Sequence, residues 1–111
     1  MAGFLQRLDI VGGRMKRKPL DRDSIDLALR SLPGWEHRND RLVKTFVLGD
    51  FREAVAFIVR IGFCAESLNH HPELYNVYNR VRVELTTHDA GNKVTTIDMV
   101  LARNIDEVVS K

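Results

Sequence analysis

A chain of 111 residues, 44% hydrophobic and 29% charged, is long enough for one globular domain with its own core and leaves little room for a second. Its only cysteine, Cys64, excludes an intrachain disulfide, and no apolar run approaches the roughly 20 residues of a membrane-spanning helix. The net charge of +2 is unevenly spread: Arg7, Arg14, Lys16, Arg17 and Lys18 face Asp9 alone, so residues 1–18 carry +4 and the remainder −2, which removes the electrostatic case for nucleic-acid binding by the folded part.

Residues 1–18 lack the apolar block of roughly 7–15 residues that a secretory leader needs, and "VGGRMKRK" (11–18) is glycine-rich and then basic, as linkers and tails are. The segment is expected to be a flexible basic extension, with the domain running from 19 to 111. A first helix is expected over about Ser24–Leu32, where Ile25, Ala28, Leu29 and Leu32 share a face and "DRDS" supplies capping residues; "LPGW" ends it. Trp35–His37 and "LVKTFVL" (42–48) read as strands joined by the polar turn "RNDR". Asp50 and Glu53 have capping-box spacing ahead of a long helix over about Phe51–Asn69, whose apolar residues, Phe51, Val55, Ile58 and Phe63 among them, are expected mostly on one broad core-facing side, and Pro72 stops it. Val77, Val81, Val83 and Leu85 alternate with polar residues as one strand, or as two with a break near Asn79. "HDAGNK" is a turn, and "TTID" (95–98) opens a last helix carrying Ile97, Val100, Leu101, Ile105 and Val108. Three amphipathic helices and antiparallel hairpins predict an α+β sandwich with the helices on one side of the sheet.

Three of the four histidines, His70, His71 and His88, lie in "ESLNHHPELYNVYNRVRVELTTHD" (66–89). A zinc site needs converging ligands, and the side chains of adjacent residues diverge; Cys64 sits within a helix that is mostly core. Two readings stay open on spacing alone. The histidines are solvated surface groups, mildly favoured near a helix C-terminus, or they move protons, since imidazole is the side chain that titrates near neutrality. His88 stands beside Asp89, a natural imidazole partner. There is no GxSxG, P-loop or GxGxxG, so a catalytic site here would be a cofactor-free acid–base one.

The run from 66 to 91 followed by "DMVLA" closely resembles the pterin-4a-carbinolamine dehydratases, and the resemblance extends from about Pro19 to Val108 through "LPGW" and "FVLGDF". E-x-x-x-H-H-P, "VYN-x-V" and "THD" carry it. The resemblance implies a four-stranded antiparallel sheet with three helices on one face. It implies dehydration of 4a-hydroxytetrahydropterin to quinonoid dihydropterin, in the recycling of the cofactor of aromatic amino-acid hydroxylases, with no metal or organic cofactor. Animal members double as the dimerisation cofactor of a hepatocyte homeodomain factor. His70, His71 and His88 match the family's catalytic histidines: His70 and His88 would serve the 4a-hydroxyl and the N5 proton, and His71 would bind and polarise the pterin. Glu66, Asn69, Thr87 and Asp89 match positions lining the pterin pocket, with Glu66 or Asp89 available to orient a histidine or to bond the pterin's ring nitrogens.

The chain departs from the family in three places. Leu74 stands where many members have tryptophan, the turn "AGNKVTTID" is one residue longer, and the basic extension has no counterpart. Asp98 matches the aspartate that opens the family's last helix, where it serves either the site or the helix cap. The rival to a dehydratase is a binding module on the same fold, a transcriptional partner or assembly factor. Exposed sheet edges, with Tyr75 and Tyr78 nearby, lead to an expected homodimer or homotetramer. The expected partners are a pterin substrate and copies of the chain, without nucleic acid or membrane, in the cytoplasm.

Overall fold

The computed structural model describes residues 10–11, 14–15 and 17–109. Most of the expected extension lies outside the described residues; within it Ile10–Val11 (β1) and Arg14–Met15 (β2) pair antiparallel. The expected α+β fold follows: Arg22–Leu29 (α1), Glu36–Arg38 (β3), Arg41–Val47 (β4), Phe51–Leu68 (α2), Glu73–Val77 (β5), Arg80–Leu85 (β6) and Thr96–Val108 (α3). The main sheet has the order β3-β4-β6-β5 and is antiparallel throughout.

Local chemistry accounts for the boundaries. Asp21 caps α1 by accepting the Ser24 N–H at 2.8 Å, so the helix starts two residues before the expected Ser24. It also ends early, because residues 30–32 close with hydrogen bonds to residues 27–29, the tighter pitch that often finishes a helix. Asn39 and Asp40, at φ 50° and 60°, make the two-residue loop between β3 and β4, the left-handed pair that matches the twist of a hairpin. Asp50 accepts the Glu53 N–H at 2.8 Å and starts α2. The expected break near Asn79 separates β5 from β6, with Tyr78 at φ 51°.

Two expected apolar faces are corrected. On α2 the core side is Ala54, Phe57, Ile61 and Ala65, whereas Phe51, Val55, Val59 and Phe63 are exposed. An 18-residue helix with apolar residues on two sides offers the sequence reader two faces, and only packing chooses between them. Val77 does not share the core face of Val81, Val83 and Leu85. It belongs to β5, pairs with Arg80 and is 73% exposed on the sheet face turned away from the core.

The inner face of the sheet carries Leu42, Phe46, Val81, Val83 and Leu85 against the helices. Phe46 meets Trp35 and Phe57 edge-on at 6.1 and 4.8 Å. Lys44 shares that face but sits at its margin, where it donates to the Pro33 carbonyl and to Asp106, both at 2.9 Å. Asp106 also accepts the Trp35 indole N–H at 3.1 Å, so the cation and the indole at this edge of the core share one carboxylate. No helix among the described residues is long and apolar enough to cross a membrane.

Arg41 and Glu73 join the start of β4 to the start of β5 by a hydrogen-bonded ion pair. The Arg41 hydrogen bond is the main reason the Glu73 carboxyl lies below its ordinary value of 4.5, with the Tyr75 hydroxyl and nearby His88 adding to it. A lowered carboxylate stabilises the fold above its unfolded pKa and ceases to as the pH falls through the folded one. Glu73→Gln is therefore expected to reduce stability near neutral pH by less than ~1 kcal/mol, as the pair is partly exposed. The difference from wild type should vanish in acid, as read by urea unfolding across pH.

Candidate active site

The two chain segments that carry the three histidines meet because β5 and β6 are antiparallel. Glu73 pairs with Glu84, and continuing that register outward brings residues 69–71 beside residues 86–88. The first segment is shaped by the end of α2. Asn69 adopts φ 49°, ψ 45°, its N–H reaches Glu66 O, and the His70 N–H reaches Ala65 O at 3.0 Å. This is the Schellman arrangement, which closes a helix through one left-handed residue. Asparagine tolerates that conformation better than most residues, and Pro72 prevents the helix from resuming. The corner lifts His70 and His71 off the helix in different directions: His70 is 5% exposed, whereas the side chain of His71 is 61% exposed.

His70 turns inward onto Asp98. Its Nε2 lies 2.6 Å from Asp98 Oδ1, and Asp98 is fully buried. The other carboxylate oxygen accepts the Thr87 hydroxyl at 2.7 Å and the Thr95 N–H at 2.9 Å. Thr95 Oγ1 lies 2.8 Å from Thr87 Oγ1, and Thr87 is also fully buried. An ionised carboxylate only accepts, so Nε2 of His70 carries a proton and Nδ1 is the nitrogen left for other chemistry. Among the described residues Nδ1 has no hydrogen-bond partner. Asp98 is thus both the cap of α3 and the hydrogen-bond partner of His70.

The other histidines are held differently. His71 Nε2 lies 3.0 Å from Glu66 Oε1 on the open surface, so Glu66 serves as a histidine partner as the sequence allowed. His88 opens a 3₁₀ turn, His88–Ala90, and its Nδ1 lies 2.7 Å from Asn92 Oδ1. With that amide oxygen accepting, Nε2 of His88 is the free nitrogen. Asp89 is not the partner of His88: neighbouring side chains point apart, whereas the turn and Gly91 at φ 75° bring Asn92 back to the ring. Asp89 is exposed and faces Arg17 instead.

His70, Thr87 and Asp98 are therefore joined directly, Glu66 with His71 forms a second pair, and His88 and Asp89 follow Thr87 on its turn. In this structure Thr87 and Asp98 present no surface to a ligand and stand behind His70. Asn92, Thr95 and Arg17 were missed from the sequence. The one-residue-longer turn was the only signal for Asn92, and Thr95 was visible only as a cap. Burial pushes the Cys64 thiol up, away from the reactive thiolate. Among the described residues no three of His, Cys, Asp and Glu are grouped to hold a metal ion.

A family profile described as Pterin 4 alpha carbinolamine dehydratase matches residues 18–108. The chain belongs to that family. A protein of Opitutus terrae named "Putative pterin-4-alpha-carbinolamine dehydratase" is 52% identical over 89 residues, covering 80% of this chain and 92% of its own. One of the same name from Thermomicrobium roseum is 46% identical over 91 residues, covering 82% and 97%. A crystal structure from Brucella melitensis, described as a transcriptional coactivator/pterin dehydratase, superposes with a TM-score of 0.79 at 36% identity, covering 83% of this chain and 99% of that one.

Within this dehydratase-family fold the Asp98 carboxylate sets the His70 tautomer, and that is open to test. Asp98→Asn keeps the size; the Thr95 N–H can only donate, so the amide oxygen stays beneath it and the NH₂ meets the His70 ring. It is expected to cost about 1–3 kcal/mol in denaturant unfolding, the range for mismatching one buried hydrogen bond. Nitrogen NMR of the His70 ring should show the proton moving from Nε2 to Nδ1; an unchanged tautomer would contradict the assignment.

Proposed function

We propose that the protein dehydrates 4a-hydroxytetrahydropterins to quinonoid dihydropterin by histidine acid–base catalysis, in recycling of the tetrahydrobiopterin type. The observation that carries this reading is the buried His70–Asp98 pair, which leaves Nδ1 as the working nitrogen of His70 next to the turn bearing His88. In the reaction the C4a–O bond breaks and a protonated imidazole donates to the departing hydroxyl, which leaves as water. A neutral imidazole takes the N5 proton, and the N5–H electrons form the C4a=N5 bond. One proton is given and one taken, so the pair of groups ends with its total proton count unchanged. His70 and His88 fill these two roles in one order or the other. His71, held by Glu66 at the surface, binds and polarises the pterin, and Asn69 and Asp89 line the rim. Thr87 and Asp98 act behind His70.

The decay of freshly generated 4a-hydroxytetrahydropterin, followed by ultraviolet absorbance, tests this reading. The protein is expected to accelerate the decay above the spontaneous rate with no added metal and after chelator treatment. His70→Ala and His88→Ala should each lower kcat by ~10²–10⁴, the usual contribution of a positioned acid or base. The second reading, a protein-binding module, is favoured by the Brucella protein's description as a coactivator. Full activity in His88→Ala would remove the catalytic assignment; a folded, inactive wild type would turn the bet to the binding module.

The assembly belongs to the same proposal. Phe51, Val55, Val59 and Phe63 form an outward stripe on α2, between 41% and 74% exposed, and Tyr75, Val77 and Tyr78 are exposed along and beyond the edge strand β5. Two separate apolar surfaces, each able to meet its own copy across a two-fold axis, suit a dimer of dimers. Sedimentation is expected to give a dimer or tetramer, and Phe63→Glu to give a smaller, still folded species. A wild-type monomer at micromolar concentration would rule this out.

A further inference from the structure

The two histidine-bearing segments are tied by a residue that lies outside both the sequence motif and the family match. Arg17 immediately precedes residues 18–108. Its Nη2 donates to the Asn69 carbonyl at 2.9 Å, and its Nη1 lies 3.8 Å from Asp89 Oδ2. Asn69 is the left-handed corner that launches His70, and Asp89 follows His88 in its turn. One guanidinium therefore grips each segment at the residue next to a candidate catalytic histidine.

Beyond its hydrogen bond to Asn69, little about Arg17 is stabilising. The Asp89 side chain is 70% exposed, and an ion pair that long and that exposed adds little. Meanwhile the Arg17 side chain is only 19% exposed and its Nε is buried with no partner among the described residues. An unpaired buried N–H subtracts from stability and calls for another explanation of the placement. Holding two segments in register is such an explanation, and the planar fork suits it, because its nitrogens reach acceptors in two directions.

We propose that Arg17 is a positioning residue for the dehydration: acting through Asn69 and Asp89, it holds the His88 turn against the His70–His71 corner without touching the pterin. This rests on the dehydratase reading. Misplacing one of two cooperating groups by a fraction of an ångström lowers turnover more than binding.

The experiment compares full-length wild type, Arg17→Ala and Arg17→Lys in the pterin decay assay. In Arg17→Ala, kcat is expected to fall about tenfold with KM within about twofold, while circular dichroism and sedimentation stay unchanged. Low-millimolar guanidine, the missing group in solution, should restore part of kcat. Arg17→Lys, which keeps the charge and loses the fork, should stay near the alanine variant. An unchanged kcat in folded Arg17→Ala overturns the inference, as does a loss that tracks the folded fraction and ignores guanidine. An inactive wild type rejects the dehydratase reading and leaves the tie itself to a second measurement. The ring signals of His70, His71 and His88 should shift or broaden in Arg17→Ala, and identical ring spectra overturn the tie.

Discussion

The Asp98 carboxylate is the constraint on which the rest of the site depends. It is fully buried, and such a group survives in the core only if its oxygens are satisfied. Three donors do this, each from a different part of the fold: the His70 ring after α2, the Thr87 hydroxyl after β6, and the Thr95 N–H before α3. The negative charge also sits in the first turn of α3, where the helix dipole favours it. Removing any one donor leaves part of a buried charge unanswered. The network thus makes the end of the sheet, the corner of one helix and the start of another depend on a single geometry. A histidine fixed this way has one tautomer and one free nitrogen.

How much of this could be read from the chain follows from where each signal lies. Helix starts at Asp50 and Thr95, the hairpin at Asn39–Asp40 and the stop at Pro72 are written within a few residues, so they were legible. The three histidines were legible as a group because a helix end and a strand end sit close together in sequence. Partner identities were not. Asp98 is 28 residues from His70, and its choice of His70 depends on how α3 packs beneath the corner. Asp89 looked like the partner of His88, but local backbone direction decides that, and the 3₁₀ turn gives the ring to Asn92. Arg17 sat in a stretch whose composition reads as a tail; its grip on Asn69, 52 residues away, leaves no trace in composition or periodicity.

The faces of α2 show the same limit and carry a consequence for function. Its apolar residues fall into an inner row, Ala54, Phe57, Ile61 and Ala65, and an outer row, Phe51, Val55, Val59 and Phe63. The inner row is closed by the sheet and α3. The outer row is between 41% and 74% exposed, so it keeps apolar area whose burial would stabilise by about 25 cal/mol per Å². The same helix ends at Asn69, whose left-handed corner aims His70 at Asp98. Covering the outer row would restrain the helix along its length and so hold the corner at its end. The outer row and the site geometry therefore share one helix. This is why an outward stripe and an inward histidine belong in the same physical account even though they never touch.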